Sequence, residues 1–240
     1  MTQTLWRNTR KYLRLLLPFP SRKTLRRWFP KFEERNIAFI FARHGIDTIL
    51  DVGAHTGQFV TKMRSSRFKG RIISFEPVSR FHGVLLEKSR RDPLWDIAPP
   101  MALGATPGEL EIKVMDTHSS FRTMIDSLDF SCELVKIQTL DNIFSSLNIS
   151  PSSRVALKLD VQGFEKEVLE GAVRTMGHVQ ALLIELSLKP VYEGETYFLE
   201  MLSYLRELGF HVVYFSPVVS RAKLGEMWQV DALLVRKDVD

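Results

Sequence analysis

The chain has 240 residues, 45% of them hydrophobic and 25% charged, with a formal charge of +5 and a single cysteine, Cys132. That length suffices for one α/β domain with extensions, and the composition excludes a disordered or fibrous chain. One cysteine excludes an internal disulfide and suits a reducing compartment, and no window reaches the ~18–20 apolar residues that cross a bilayer.

The charge is unevenly placed. Residues 1–35 hold ten Lys or Arg against Glu33 and Glu34, a balance of +8, so the other 205 residues carry −3 of the total. A uniformly basic nucleic-acid binder would not look like this, and no nucleic-acid partner is expected. In "TQTLWRNTRKYLRLLLPFP", Leu5, Trp6, Tyr12, Leu13, Leu16 and Leu17 share one helical face, Arg7, Arg10, Lys11 and Arg14 the other, and Pro18 and Pro20 stop the helix. Two readings stay open: an interfacial helix resting on anionic lipid, or a helix that covers the domain or pairs with a second subunit in a homodimer. The apolar run Leu15–Phe19 is too short for a secretory signal, so the expected location is cytoplasmic, with peripheral contact at the inner face of the membrane through residues 1–30. Residues 1–31 thus read as a basic amphipathic extension and 32–240 as the main domain.

From residue 32 the pattern is regular. Phe32, Ile37, Ile40 and Phe41 form a helical stripe closed by Gly45; "TILDVG" reads as a buried strand, "QFVTKMRSS" as a helix, "RIISFEP" as a strand and "RFHGVLLEKSR" as a helix. "WDIAPPMALG" reads as a third strand, broken by prolines and hence short or near an edge. Residues 108–144 depart from the alternation: "GELEIKVM" and "CELVKIQTLDNIF" read as an antiparallel insertion. Alternation resumes with strand "VALKLDV", helix "FEKEVLEGAVRTM", strand "ALLIELSL", helix "ETYFLEMLSYLREL" and two closing strands, "HVVYFSP" and "QVDALLVRK", with no helix between them. The expectation is a mostly parallel α/β sheet covered on both faces, with an antiparallel pair at one end.

In such a sheet ligands bind beyond the carboxyl ends of the strands. "DVGAHTG" ends the first strand and opens the first helix, where Gly53 and Gly57 allow a sharp turn and Asp51 adds a carboxylate. The spacing D-x-G-x-x-x-G is not the dinucleotide fingerprint, and an acid there repels phosphate but suits a ligand with an ammonium group, such as S-adenosylmethionine. Glu76, at the end of the second strand, is placed to accept bonds from ribose hydroxyls. A second group lies in "LKLDVQGFEKEVLEGA". Asp160, at a strand end before Gln162 and Gly163, is a candidate for orienting a substrate or taking a proton. Glu185, on the next apolar strand, needs a partner, for which Lys158 and Lys189 are near in sequence. Both acids also admit a structural reading, as does Tyr192 in "KPVYEGE", which packs on a sugar face or on the sheet. No histidine pair has metal-ligand spacing, and no metal is expected.

The strings "DVGAHTGQF", "FEP", "ALG", "TLD", "LKLDVQGFEKEVLEGA", "IELSLKPVYEG", "LGF" and "QVDALLVR" resemble, in order and spacing over roughly residues 47–237, the FkbM-type methyltransferase family. The resemblance implies a class I (Rossmann-like) methyltransferase fold. It implies S-adenosylmethionine as methyl donor, S-adenosylhomocysteine as product, and transfer to a hydroxyl of a sugar, glycolipid or polyketide. By position it assigns the donor to Asp51, Gly53, Ala54, His55, Gly57, Phe59, Glu76, Pro77, Ala102, Leu103, Asp160 and Gln162. It places Asp160, Gln162 and Gly163 at the reaction centre and, through "THSSF", brings His118, Ser119 and Ser120 to the acceptor. Asp160, His118 and Glu185 are thus the catalytic candidates, and Ser119, Ser120, Gly163 and Tyr192 the acceptor-binding ones. His55 stands where the family usually has asparagine. Competing readings are a nucleotide-binding oxidoreductase, disfavoured by the missing G-x-G-x-x-G, and a non-catalytic module, disfavoured by the presence of Asp51 and Glu76; RNA methylation is a further one.

Overall fold

The computed structural model describes residues 32–114, 119–120, 131–221 and 226–237; the basic extension 1–31 and His118 lie outside them. Helix α1 (Phe32–Arg43) buries Ile37, Ala38 and Phe41, and ends where Gly45 takes φ +63°. The chain then alternates through β1 (Thr48–Val52), α2 (Gln58–Ser65), β2 (Arg71–Phe75) and α3 (Ser79–Ser89). β1 is buried along its whole length, as a central parallel strand must be.

The stretch read as one third strand is two. β3 (Trp95–Ile97) pairs with β2 at the edge of the main sheet, whereas β4 (Ala102–Leu103), beyond the Pro99–Pro100 break, joins a second sheet. That sheet has the order β4-β7-β5-β6, from β5 (Gly108–Val114), β6 (Ser119–Ser120) and β7 (Ser131–Gln138), with β5 and β7 antiparallel as expected. It therefore begins ahead of residue 108, because a proline pair cannot continue a ladder. Thr139 caps α4 (Leu140–Ile143), its Oγ1 accepting the Asn142 N–H at 3.1 Å.

After β8 (Val155–Leu159), the helix expected over "FEKEVLEGAVRTM" is only α5 (Glu165–Glu170). Gly171 ends it: a Cβ there would lie 2.0 Å from the Gly104 carbonyl oxygen, and its own carbonyl takes the Asp141 N–H. The Asp141 carboxylate then accepts from the Arg174 and Thr175 N–H groups, turning the chain into β9 (Val179–Ser187). α6 (Phe198–Glu207), β10 (Phe210–Arg221) and β11 (Glu226–Arg236) complete the fold.

The main sheet has the order β10-β11-β9-β8-β1-β2-β3. β11 enters between β9 and β10, antiparallel to both, and the pairs among β9, β8, β1, β2 and β3 are parallel. One face carries α1, α2 and α3 over Ile49, Ile72, Ala156 and Leu233; the other carries α4, α5 and α6 over Leu50, Leu157, Leu182 and Leu234. The strand order reverses between β1 and β8, which opens a crevice at their carboxyl ends. Among the described residues no helix is long and apolar enough to cross a membrane.

Candidate functional site

At the β1/β8 seam the backbone turns within van der Waals reach of itself. Gly53 has φ +76°, and a Cβ on it would lie 2.0 Å from the Asp160 carbonyl oxygen. The Gly53 and Ala54 N–H groups both donate to Phe75 O at 3.1 Å, tying the loop to β2. Gly57, φ +79°, is crowded by the Trp95 ring, 2.6 Å from a would-be Cβ. Both glycines turn the chain as expected, but the space they leave is filled by the protein itself rather than reserved for a ligand.

Register places Asp51 opposite Ser74 on one side and Lys158 on the other. Ser74 Oγ donates to Asp51 Oδ2 at 2.9 Å, and Trp95 Nε1 donates to Ser74 Oγ at 2.9 Å. Lys158 Nζ lies 3.1 Å from Asp51 Oδ1 and donates to Gly53 O at 2.9 Å and Val52 O at 3.3 Å. Asp51 has no exposed surface. Burial opposes the Lys158 charge, but Asp51 and Asp160 outweigh it and hold the ammonium above its ordinary range. The expected partnership of Lys158 or Lys189 with Glu185 is corrected: Lys158 serves Asp51, and Lys189 pairs with Glu226 at 2.6 Å.

His55 has φ +48°, and its N–H donates to Glu76 Oε2 at 2.7 Å; Val78 N–H donates to Oε1 at 2.9 Å. Burial pushes the Glu76 carboxyl up to about 7 against those two bonds. Each of its oxygens retains a lone pair for a hydroxyl donor. Pro77 follows, half-buried. Ala102 and Leu103 turn their side chains into the cores. Gly53, Ala54, His55, Gln58, Phe59, Lys62, Lys158, Asp160 and Asp231 line a cleft of about 130 Å³.

The β8–β9 side is a network of side chains. Gln162, at φ +56°, donates from Nε2 to Asp160 Oδ1 at 2.7 Å and to Glu185 Oε2 at 3.2 Å, and its Oε1 accepts from the Tyr192 hydroxyl. Gln229 Nε2 donates to the same Glu185 oxygen at 3.0 Å. Burial, then the charges of Asp160 and Asp231, raise the Glu185 carboxyl well above its ordinary value, so it favours the neutral form. Glu165, in the first turn of α5, is buried and folds back, accepting from the Val161 N–H at 3.0 Å; burial raises it to about 7. Of the two readings of Tyr192, packing describes it: 1% exposed, its ring touches the position where a Gly163 Cβ would stand. It presents no open face to a sugar. Glu195 pins its loop, accepting from the Tyr192 N–H at 3.1 Å and from Ser187 Oγ at 2.7 Å.

Asp160, its side chain 43% exposed, and the half-buried Asp231 are the acids that line the cleft. Ser119 and Ser120 form β6 at the outer edge of the second sheet, paired with Val114 and Lys113, and His118 lies outside the described residues. Sequence reasoning missed Gln229, Glu195 and the true role of Lys158. The last had a signal, since a lysine inside an apolar strand requires an acid on a neighbouring strand. Among the described residues no group of three His, Cys, Asp or Glu is arranged to hold a metal ion.

A family model described as the methyltransferase FkbM domain matches residues 51–212. No curated protein matches the chain significantly. Among solved structures, an O-methyltransferase from Bacillus cereus in complex with S-adenosylhomocysteine is similar at TM-score 0.52 and 11% identity, over 85% of this chain and 80% of that one. Magnesium protoporphyrin IX methyltransferase from Synechocystis with bound S-adenosylmethionine is similar at TM-score 0.49 and 10% identity, over 86% of this chain and 79% of that one.

Proposed function

The chain belongs to the FkbM methyltransferase family, and on that premise we propose that it transfers a methyl group from S-adenosylmethionine to a hydroxyl of a sugar, glycolipid or polyketide-type acceptor. The observation that carries this reading is the seam itself: a loop of backbone turns beside an open carboxylate, Asp160, with a buried ribose-type acceptor, Glu76, at the next strand end.

The site fits that donor in its chemistry. Asp160 and Asp231 line the cleft where an ammonium and a sulfonium would lie, and the Gly53, Ala54 and His55 N–H groups that could cradle a pyrophosphate are already taken by Phe75 O and Glu76. Glu76 would take the ribose hydroxyls, the Gly53–His55 backbone and Phe59 would flank the amino-acid end, and Ala102, Leu103 and Pro77 would border the base. When bound, the donor supplies an electrophilic methyl carbon. The protein's part is alignment, worth ~7–11 kcal/mol where two reactants are held for in-line attack. Asp160 is the group that would orient the acceptor hydroxyl or take its proton, as it is held from one side by Gln162 and open on the other. Glu185, buried and accepting from both Gln162 and Gln229, would keep Gln162 in place and not act as a base.

Calorimetric titration with S-adenosylmethionine, S-adenosylhomocysteine and NAD tests the reading. Micromolar affinity for the first two and none for NAD is expected, followed by methylation of glycan acceptors; preference for NAD overturns it. Residues 1–30 are further proposed to rest on anionic lipid, because the sequence spacing of Arg7, Arg10, Lys11 and Arg14 would set them opposite the apolar positions were the segment helical. Full-length chain with Arg7, Arg10, Lys11 and Arg14 changed to Glu is expected to lose sedimentation with anionic vesicles, and unchanged sedimentation sinks that idea.

A further inference from the structure

Lys158 sits mid-strand in "VALKLDV", in a sheet position where its neighbours on the chain, Leu157 and Leu159, are fully buried. An ammonium has three hydrogens to donate. Around Nζ stand Gly53 O at 2.9 Å, Asp51 Oδ1 at 3.1 Å and Val52 O at 3.3 Å; Asp160 Oδ2 is farther off, at 3.7 Å. The two carbonyls accept two of the donors, and Asp51 Oδ1 stands nearer the ammonium as an ion-pair partner than Asp160 does. Asp160 is therefore attracted without being bonded, and its Oδ2 stays available.

Asp51 is in the opposite condition. Oδ2 accepts from Ser74, Oδ1 faces the ammonium, and the side chain has no exposed surface. A ligand reaches Asp51 only if Lys158 moves. The two carbonyls Lys158 holds belong to the residues that open the donor loop, so one ammonium both holds the loop's backbone and pairs with the acid beneath it.

We propose that Lys158 is the positioning residue of the donor site: it sequesters Asp51, clamps the Val52–Gly53 backbone, and leaves Asp160 as the carboxylate that meets the donor's cationic end. This rests on the methyl-donor reading above. It moves to Asp160 the role toward the donor's cationic end that sequence order suggests for Asp51. The neutral partner of a buried ion pair can be restored without restoring the clamp, which separates positioning from plain charge balance.

The experiment is calorimetric titration of the full chain with S-adenosylhomocysteine, alongside thermal unfolding, for wild type, Lys158→Met, Lys158→Met with Asp51→Asn, and Asp160→Asn. Lys158→Met is expected to lower the melting temperature and weaken affinity roughly 100-fold, about the worth of two charge-assisted hydrogen bonds. The double variant is expected to recover most of the melting temperature, because no buried charge is left alone, while affinity stays at least ~30-fold weak. Asp160→Asn is expected to keep the wild-type melting temperature and lose roughly tenfold in affinity. A double variant that binds within threefold of wild type, or an Asp160→Asn that binds like wild type, overturns the proposal while the donor reading stands. Wild type that binds neither the donor nor its product overturns the donor reading, and the proposal falls with it.

Discussion

On the β1–β2 side of the seam, the loop is held through its own backbone: the Gly53 and Ala54 N–H groups donate to Phe75 O, the His55 N–H donates to the Glu76 carboxylate, and the turn residues sit at positive φ within one ten-residue string. On the β8–β9 side, side chains are held by side chains drawn from four separate stretches: Asp160 and Gln162, Glu185, Tyr192 with Glu195, and Gln229. The first side is local in sequence and rigid; the second is assembled across the fold around one amide. A backbone-built loop tolerates little change of shape but many changes of side chain. A side-chain network tolerates neither the loss nor the reversal of its hub.

The largest effect should therefore come from a single methyl group on the rigid side. Gly53→Ala puts Cβ against the Asp160 carbonyl in a backbone conformation that alanine disfavours, with no flexible group to yield. Loss of donor-product binding beyond roughly 100-fold, or failure to fold, is expected. The parallel change on the other side, Gly163→Ala at φ +91°, meets the Tyr192 ring at 3.0 Å, and a ring can shift. Its melting temperature should fall less than that of Gly53→Ala, and equal losses would erase the distinction between the two sides.

Next in size is Gln162→Met, which keeps length and removes the amide. Turnover is expected to drop roughly 10- to 100-fold, the scale of a lost hydrogen bond to a charged group, while donor-product affinity stays within about threefold. Binding that falls in step with turnover would mean that the network also shapes the donor side.

This contrast also marks how far the sequence could be read. The alternation of strands and helices, the antiparallel end and the glycine loop were legible, because alternation and turn residues are local signals. Asp51 and Glu76 were singled out because both stand at strand ends, where chemistry gathers in this architecture. Lys158 was assigned to Glu185 because the two are near in sequence, yet contacts across a sheet follow register. Lys158 stands opposite Asp51 and opposite Leu183, and Glu185 lies two residues further along β9. Gln229 gave no signal at all: a glutamine near a strand start means nothing until β11 is known to enter beside β9. The early end of α5 was hidden likewise, since the carbonyl that requires Gly171 belongs to Gly104.

A smaller and shared effect is expected from pH. Glu76 on one side and Glu165 on the other both titrate near 7 in the folded, empty protein, above the ordinary carboxylate value. The folded state then holds more protons than the unfolded one between those values, so the stability these groups contribute is present at low pH and is lost as pH rises through 7. Warming the ligand-free chain at pH 6 and pH 8 should give a melting temperature several degrees higher at pH 6. Hydroxyl donors on Glu76 favour its ionised form, so saturating donor product should shrink the difference, leaving the Glu165 part. A melting temperature that rises from pH 6 to pH 8 would contradict both assignments.

The smallest effect belongs to the residue at which the sequence departs from its family. His55 occupies a left-handed position, φ +48°, a region that asparagine, aspartate and histidine enter more readily than other non-glycine residues. That shared preference explains how histidine stands where asparagine is usual: the backbone asks for one of a few residues, and its N–H to Glu76 is the same for each. Histidine adds a ring 3.9 Å from the Phe81 ring, a contact asparagine lacks. His55→Asn should therefore trade a modest packing loss for an easier backbone, leaving donor-product affinity within about threefold and the melting temperature within ~2 °C of wild type. His55→Val keeps bulk but places a β-branched side chain at positive φ, at a cost on the order of 1–2 kcal/mol. If valine binds as well as asparagine, the loop is not defined by its backbone, and the contrast between the two sides of the seam loses its physical basis.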